Sequence, residues 1–309
     1  MSVVAASRRA LDHVISSEQF VRPLLDEIFE RASALDGVRD DRLHGSVMAT
    51  LFYEPSTRTR LSFESAMLRL GGSVLGTEAA HTFSSAIKGE TLEDTIRMVA
   101  TYADVIVLRH DQLGAAARAA SVSTVPVVNA GDGPGEHPTQ ALLDLFTILR
   151  ELGHIDGVRV ALCGDLRFGR TARSLALLLG LYRDVRLIFV APEVVQVGGD
   201  ILARLDERRV SYTLAKQLSD VIANVDVVYQ TRVQKERFTD PEEFEQARTA
   251  IRIDAAVMRQ LPEGAIVMHP LPRVDEIAVD VDADPRAAYF RQAANGVAIR
   301  MAILEMLLR

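Results

Sequence analysis

The sequence predicts an α/β fold of two domains, each built on a mainly parallel sheet covered by helices. Short apolar runs alternate with segments in which apolar residues recur at helical spacing, which is the pattern of parallel strands joined by helices. The alternation occurs in two series, with an amphipathic helix at His137–Arg150 between them. A chain of 309 residues is long enough for two domains. Ligands of such folds bind at the carboxyl ends of strands, so we expect the active site in the interdomain cleft.

The first series runs to residue 150 and is predicted to form the first domain. Its strands are mostly apolar runs, and its helices carry apolar stripes. Residues Gly76–Gly89 have no clear period and predict an exposed loop. The other predicted elements are the helix Glu18–Leu35, the strand Val47–Tyr53, the helix that ends before Gly71, the helix Thr91–Tyr102, the strand Asp104–Arg109, the helix Ala115–Ala120 and the strand Val125–Asn129.

The second series, residues 151–288, is predicted to form the second domain. The final helix, Gly296–Leu308, is strongly apolar and must pack on something, so we expect residues of about 289–309 to rejoin the first domain. A charged segment after Gln230 interrupts the pattern. The remaining predicted elements are the strands Arg159–Cys163, Arg186–Val190, Val210–Leu214, Asp226–Gln230 and Ala265–Met268, and the helices Thr171–Leu181, Leu218–Asn224 and Asp254–Leu261.

Composition and charge restrict the class of function. Hydrophobic residues make up 48% and charged residues 25% of the chain, as in globular proteins. The net charge of −7 argues against nucleic acid or an anionic membrane as a partner, so any anion site must be local. We find no signal-peptide core and no span long enough to cross a bilayer. The single cysteine, Cys163, excludes an internal disulfide and fits a cytoplasmic location.

A candidate phosphate site lies where the predicted strand Val47–Tyr53 gives way to a helix. Ser56, Thr57 and Thr59 supply hydroxyls, and Arg58 lies between them. A helix N-terminus offers free backbone N–H groups and the positive end of its dipole, so these side chains suit a phosphate. The alternative is an ordinary N-cap serine followed by solvated arginines.

Further polar side chains follow other predicted strands. Several arginines, a histidine and a hydroxyl cluster at strand ends together suggest a cleft for an anionic substrate. Any single arginine of this set is more simply explained as an unrelated surface residue. The candidates are Arg109, His137, Gln140, Arg170, Arg232, Gln234 and the turn His269–Arg273.

Cofactor and metal motifs are weak or missing. The turn GDLRFGR after Cys163 is similar to a dinucleotide-binding turn, but Leu166 breaks the G-x-G-x-x-G pattern. We find no Walker A sequence and no paired-histidine metal motif. No cofactor and no metal are therefore expected.

Six motifs together resemble the aspartate/ornithine carbamoyltransferase family. They are YEPSTRTRLSFE, KGETLEDT, DGPGEHPTQALLDLFTI, GDLRFGRT, TRVQKER and HPLPRVDEI, and they occur in the family's order over nearly the whole chain. HPLP, TRVQKER and the closing DVDADPRAAYFRQAANG favour the aspartate branch, and the S-M-G loop of the ornithine branch is not found. The resemblance implies a carbamoyl-phosphate domain, an aspartate domain and a homotrimer whose sites are shared between neighbouring chains.

The resemblance also implies the reaction. Carbamoyl transfer from carbamoyl phosphate to L-aspartate would give N-carbamoyl-L-aspartate and phosphate, an early step of pyrimidine synthesis. Arg58, Thr59, Arg109 and His137 would be the catalytic residues, with Thr59, Arg109 and His137 around the carbamoyl oxygen. Carbamoyl phosphate would be bound by Ser56, Thr57, Arg58, Thr59, Arg109, His137, Gln140, Leu271 and Pro272, the last two through backbone carbonyls that hold the amino group with Gln140.

The implied aspartate site consists of Arg170, Arg232 and Gln234, together with Lys88. Lys88 and Ser84 would come from the adjacent subunit, although Ser85 is an alternative to Ser84. Regulatory chains or other pyrimidine enzymes are possible partners.

Three other interpretations remain open at this stage. The first is a carbamoyltransferase with another amine acceptor. The second is a nucleotide-dependent oxidoreductase that uses the GDLRFGR turn. The third is a non-catalytic scaffold homologue, which is disfavoured because the charged site residues are all present.

Overall fold

The structure, a computed structural model, describes residues 11–78, 89–235 and 238–309. The chain divides into two compact units. Unit 1 comprises the described residues up to Gln19, then Asp26–Thr139 and Val297–Arg309, and unit 2 comprises Phe20–Leu25 and Gln140–Gly296. The exact domain limits at residues 150 and 288 stay a prediction.

Unit 1 is built on a four-stranded parallel sheet of order β2-β1-β3-β4. Five of the six β1 residues are buried, as expected of a central strand covered on both faces. The strands are β1 (Val47–Phe52), β2 (Ser73–Glu78), β3 (Val105–His110) and β4 (Val127–Asp132), and the helices are α1 (Arg22–Leu35), α2 (Thr57–Arg69), α3 (Leu92–Val99) and α4 (Ala115–Val122).

Unit 2 is built on a five-stranded parallel sheet of order β7-β6-β5-β8-β9. Its central strand β5 carries only apolar buried residues after Arg159. The strands are β5 (Arg159–Cys163), β6 (Arg186–Val190), β7 (Ser211–Ala215), β8 (Val227–Gln230) and β9 (Ile266–Met268), and the helices are α5 (Pro138–Leu152), α6 (Arg170–Leu179), α7 (Gly199–Glu207), α8 (Pro241–Thr249), α9 (Ala255–Met258) and α10 (Tyr289–Leu308). These sheets confirm the predicted fold class of two parallel α/β sheets covered by helices.

The last helix ends in unit 1. The guanidinium of Arg300 lies 4.9 Å from the centre of the Phe63 ring. Glu305 accepts hydrogen bonds from Arg42 at 2.6 Å and from Arg31 at 3.3 Å. The C-terminal half of α10 is thereby fixed to α1 and α2 by one buried aromatic contact and one shared carboxylate.

Several elements differ from the sequence prediction for identifiable reasons. Strand β2 overlaps the segment predicted as a loop. It is a largely exposed edge strand that contains Gly76, so it lacks the apolar run that would have predicted a strand. Helix α7 was not predicted, because it buries only Ile201 and Leu205, which is too little for a clear apolar stripe. The predicted helix Leu218–Asn224 consists of two short 3₁₀ turns.

No helix within the described part of the chain is long and apolar enough to cross a membrane.

Candidate active site

Helix α2 begins with polar groups that are not used to cap it. Ser56 occupies the N-cap position, but its side chain makes no capping hydrogen bond. Thr57 is exposed, whereas Thr59 in the first turn is 7% exposed. The capping alternative therefore does not account for the Ser56 hydroxyl, which remains available together with the positive end of the helix dipole.

Arg58 differs from its neighbour Arg60. Arg60 forms an ion pair with Glu64 at 3.0 Å, one turn along the same helix. Among the side chains that the structure describes, Arg58 has no carboxylate partner. The residue is exposed, and the partial desolvation of its guanidinium lowers the pKa. The positive charge of Arg58 is therefore available to an external anion.

Arg109 is held in place at the end of β3. Its Nη1 donates to the carbonyl oxygen of Ala130 at 3.1 Å, and its Nη2 lies 3.2 Å from Glu54 Oε2. The Arg109 side chain is only 13% exposed. Two fixed contacts and low exposure leave the guanidinium little freedom, which suits a group that must meet a developing charge.

A glycine-rich turn after β4 places His137. Gly133 has a φ of +54°, and a Cβ there would lie 2.4 Å from the Asp111 carbonyl oxygen, so the turn needs glycine. Glu136 is anchored to the N-terminal segment because its carboxylate accepts from Ser16 Oγ and from the Ser17 amide. His137 itself is 4% exposed.

The residues of unit 1 are therefore brought to one edge of its sheet. Strands β1, β3 and β4 are neighbours and parallel, so their carboxyl ends lie side by side. The group comprises Ser56, Thr57, Arg58, Thr59, Arg109 and His137. Two arginines, hydroxyls and a helix N-terminus at one edge can bind a doubly charged phosphate.

In unit 2 a buried aspartate organises the turn after β5. Asp165 is 0% exposed and accepts from the Phe168 amide at 2.9 Å and from the Gln234 amide at 3.4 Å. Burial raises the pKa of Asp165, and these hydrogen bonds oppose that shift only in part. The carboxylate joins the turn that precedes α6 to the segment that follows β8.

Arg170, Arg232 and Gln234 lie on these two segments. Arg170 begins α6 and is half-buried, as is Arg232. Gln234 Nε2 donates to the Phe168 carbonyl oxygen at 3.2 Å. Since β5 and β8 are adjacent strands, the three side chains belong to one edge of the unit 2 sheet.

A cavity of about 200 Å³ in unit 2 adjoins this edge. Gln230 is 1% exposed, and its Oε1 has no hydrogen-bond partner within the described structure. The lining residues include Gly164, Gln230, Arg232, Lys235, Phe244 and Glu276. The cavity can accommodate a small polar ligand beside Arg232.

The turn after β9 presents two backbone carbonyls. Leu271 has a φ of +55°, which is a strained conformation for a residue with a side chain. Its amide donates to His269 Nδ1 at 2.8 Å, so the proton of that imidazole is on Nε2, which donates to Glu276 Oε1 at 2.8 Å. These buried contacts hold the Leu271–Pro272 segment in place.

Gln140 is bound to its own helix. Its Nε2 donates to Asp144 Oδ1 at 2.8 Å, one turn further along α5. Sequence reasoning missed the supporting residues Asp144, Asp165, Glu276 and Gln292. The one available signal was Asp144, a charged residue within the apolar stripe of α5.

Unit 2 therefore brings Gln140, Arg170, Arg232, Gln234, Leu271 and Pro272 to the carboxyl edge of its sheet or to the start of α5. Ser84, Ser85 and Lys88 lie outside the described residues.

The fold and these residues define a class: a two-unit α/β protein in which each unit offers arginines and hydrogen-bonding groups for an anionic ligand. Comparison with known families narrows this class. Residues 12–150 match the model of the aspartate/ornithine carbamoyltransferase carbamoyl-P binding domain, and residues 156–307 match the Asp/Orn binding domain of the same family. The chain belongs to the aspartate/ornithine carbamoyltransferase family.

Individual relatives are similar over nearly the whole chain. It is 57% identical over 304 residues to aspartate carbamoyltransferase 1, chloroplastic, of Pisum sativum, covering 96% of this chain and 79% of that one. It is 49% identical over 300 residues to the aspartate carbamoyltransferase catalytic subunit of Methanocella arvoryzae, covering 96% and 97%. The Trypanosoma cruzi aspartate transcarbamoylase in complex with N-(phosphonacetyl)-L-aspartic acid has a TM-score of 0.92 at 45% identity, with 96% of both chains covered.

Proposed function

We propose that this chain transfers the carbamoyl group of carbamoyl phosphate to the amino group of L-aspartate, giving N-carbamoyl-L-aspartate and phosphate. The observation that carries the proposal is the N-terminus of α2, where the Ser56 hydroxyl is not used as a cap and Arg58 has no carboxylate partner among the described side chains. The matched domain models name the two ligand classes. A related T. cruzi enzyme has been solved with carbamoyl phosphate and aspartate.

Unit 1 would bind carbamoyl phosphate. Ser56, Thr57 and Arg58 suit the phosphate, because hydroxyls and a planar guanidinium can donate to several of its oxygens at once. Arg109, fixed by Glu54 and by the Ala130 carbonyl, can reach a phosphate oxygen with one nitrogen while the rest of the side chain stays in place. The same donors stabilise the negative charge of the leaving phosphate.

The reaction requires stabilisation of a tetrahedral intermediate. The aspartate amine forms a C–N bond, the C–O bond to phosphate breaks, and charge develops on the carbamoyl oxygen. Thr59, Arg109 and His137 would donate to that oxygen. Each such donor typically stabilises the transition state by about 3 kcal/mol.

His137 acts as a neutral donor in this scheme. Thr139 Oγ1 lies 3.5 Å from His137 Nδ1, and a hydroxyl that donates there leaves the proton on Nε2. The departing phosphate takes the amine proton, so no protein base is required. We expect His137→Asn to lower kcat while the pH profile keeps its shape. If His137 were a general base, its loss would instead change the acidic limb of the profile.

Unit 2 would bind aspartate and the amino group of the carbamoyl moiety. Arg170, Arg232 and Gln234 suit two carboxylates, since guanidinium groups bind carboxylates bidentately. The carbonyl oxygens of Leu271 and Pro272, together with Gln140, would accept from the carbamoyl NH₂ group.

The proposal is tested by phosphate release from carbamoyl phosphate in the presence of L-aspartate. We expect Arg58→Ala to lower turnover by about 100-fold or more with an unchanged melting temperature. Arg60→Ala is the matched control, because Arg60 lies two positions away on the same helix and is paired with Glu64. Wild-type turnover in Arg58→Ala would refute the phosphate site.

The acceptor is tested separately. L-Ornithine in place of L-aspartate should give no carbamoylated product, and N-(phosphonacetyl)-L-aspartate should inhibit with an affinity above that of either substrate. Carbamoylated product formed with L-ornithine but not with L-aspartate would assign the chain to the other branch of the family.

We further propose that the chain forms a homotrimer. Leu61 and Leu68 lie seven residues apart on α2 and are 53% and 61% exposed, and Leu75 on the edge strand β2 is 51% exposed. Exposed leucines on one helix face beside a sheet edge favour contact with another copy. Sedimentation should give three times the chain mass, and Leu61→Asp/Leu68→Asp should give monomers, while the exposed-site control Val279→Asp should not.

A site shared between subunits is proposed with Ser84 and Lys88 as the contributed residues. Mixtures of Arg58→Ala and Lys88→Ala chains should then recover activity, because some sites combine an intact Arg58 with an intact Lys88. Full subunit exchange without recovery would contradict sharing.

The biological setting is proposed as pyrimidine synthesis in the cytoplasm. The pea relative is named as chloroplastic, so location is tested directly by fractionation of the source cells. Co-purification at endogenous levels tests for regulatory chains or other pyrimidine enzymes.

A further inference from the structure

The carboxylate of Asp144 is the centre of a buried hydrogen-bond network in unit 2. Asp144 is 0% exposed. Its Oδ1 accepts from Gln140 Nε2 at 2.8 Å and from Gln292 Nε2 at 2.6 Å, and its Oδ2 accepts from the Tyr229 hydroxyl at 2.7 Å. Both oxygens of this carboxylate are therefore used as hydrogen-bond acceptors.

The orientation of one of these amides is fixed independently. Gln292 Oε1 accepts from the backbone amide of His269 at 2.8 Å. A backbone N–H can only donate, so the atom that faces it must be the amide oxygen and the NH₂ group must face Asp144. Asp144 Oδ1 is therefore an acceptor.

The same oxygen determines how Gln140 is turned. An acceptor at Oδ1 requires the NH₂ group of Gln140, which leaves Oε1 as the amide atom that can accept from a ligand. Gln140 is 9% exposed, so few other positions are open to its amide. Without Asp144, rotation of this amide by 180° would present a donor instead.

Through Gln292, the network also reaches the strained turn after β9. The His269 amide donates to Gln292, and the imidazole of His269 accepts from the amide of Leu271 at 2.8 Å. Leu271 and Pro272 offer only carbonyl oxygens to a ligand. Asp144 thus supports three groups that can accept a hydrogen bond from a ligand: Gln140 Oε1 and the carbonyl oxygens of Leu271 and Pro272. It supports no group that donates to the ligand.

We propose that Asp144 is a positioning residue that makes the site selective for an acyl group bearing N–H donors. This inference rests on the proposed function, since it assigns the acceptors to the carbamoyl NH₂ group. A carbamoyl group satisfies these acceptors, whereas an acetyl group of the same shape has a methyl there and leaves them unpaired. Sites with unpaired polar groups reject such analogues strongly.

The test compares binding of carbamoyl phosphate and acetyl phosphate by calorimetry. Wild type should prefer carbamoyl phosphate. Asp144→Leu removes the acceptor and keeps the branching of the side chain, with methyl groups in place of both oxygens. We expect carbamoyl phosphate to bind about tenfold more weakly while acetyl phosphate changes less than about twofold. Asp144→Asn keeps an oxygen for both glutamines and should restore most of the preference.

A matched control separates positioning from stability. Thr147 is also buried on α5, and its Oγ1 accepts from Asn295 Nδ2 of α10 at 2.9 Å, so it joins the same two helices. Thr147→Val should lower the melting temperature and leave the ligand preference unchanged. If Asp144→Leu does not fold, Asp144→Leu/Tyr229→Phe carries the test, because it leaves no buried hydroxyl without its acceptor.

The outcomes distinguish this inference from the proposed function. A folded Asp144 variant that keeps the wild-type preference, or that loses both ligands equally, would overturn the role of Asp144. A wild-type protein that binds neither ligand and releases no phosphate with aspartate would instead refute the proposed function.

Discussion

Glu276 offers a test of how the turn after β9 is held. Its Oε1 accepts from His269 Nε2 at 2.8 Å, and its Oε2 accepts from the amides of Val274 and Asp275 at 3.1 Å each. Glu276→Gln has the same shape but carries one oxygen and one NH₂ group. Because His269 Nδ1 is already occupied by the Leu271 amide, the imidazole cannot change tautomer to receive a donor.

At least one buried donor must therefore face another donor in this variant. A buried hydrogen bond lost in this way costs about 2–3 kcal/mol, which corresponds to a fall in melting temperature of about 4–12 °C. The strained Leu271 also loses its support, so kcat should fall with it.

The pH dependence has a definite sign. Burial alone would raise the pKa of Glu276, but the hydrogen bonds from His269 and Val274 outweigh burial, and the pKa lies below its usual 4.5. A carboxyl with a lowered folded pKa stabilises the protein above its unfolded pKa and loses that contribution as pH falls through the folded pKa. The stability gap between wild type and Glu276→Gln should thus be full at neutral pH and shrink below pH 4.5.

Calorimetric melting and phosphate release measure both effects in the same samples. Glu263→Gln is the control, since Glu263 is exposed. A Glu276→Gln melting temperature equal to that of the control at pH 7, with normal kcat, would refute the argument from the fixed tautomer.

Two further predictions concern unit 2. Gly164→Ala should destabilise unit 2 by about 3 kcal/mol or more, because φ at Gly164 is +101° and the new Cβ would lie 2.3 Å from the Thr231 carbonyl oxygen. The control is Gly199→Ala, whose Cβ would lie in open space, and it should have a small effect in the same denaturant titration. Cys163 is buried and burial raises the pKa of its thiol, so a thiol reagent should modify it in denaturant but not in the native protein, and rapid native modification would contradict this placement.

The fold could be predicted wherever burial leaves a pattern in the sequence. Strands β1 and β5 are nearly all apolar because both faces of each sheet are covered, and their predicted positions are correct to within a residue. The edge strand β2 and the helices α7 and α8 were not predicted. Each is largely exposed and so lacks an apolar pattern. Helix α8 is stabilised at its start by the Asp240 side chain, which accepts from the Glu242 amide at 2.8 Å.

The candidate site shows the same division. Ser56, Arg109 and Arg232 could be found because they lie at or just after the ends of strands, and the carboxyl ends of adjacent parallel strands share one edge. The buried network around Asp144 could not, since it joins residues from Gln140 to Gln292 that only the folded chain brings together. Its members are ordinary polar residues, and their role depends on which donor atom faces which acceptor atom in the folded chain.

The pairing of other arginines with carboxylates in this acidic chain explains why the α2 site needs an arginine that is not paired in this way. Several arginines that the sequence could not distinguish from Arg58 are paired in the structure, as Arg22 is with Asp156 and Arg273 with Asp282. An anion that displaced a carboxylate from such a pair would have to compete with it. Arg58, for which the described structure shows no such pair, can bind phosphate without this competition, so its charge contributes fully to binding. The difference between Arg58 and Arg60, two positions apart on one helix, is therefore a difference in partners and not in residue type.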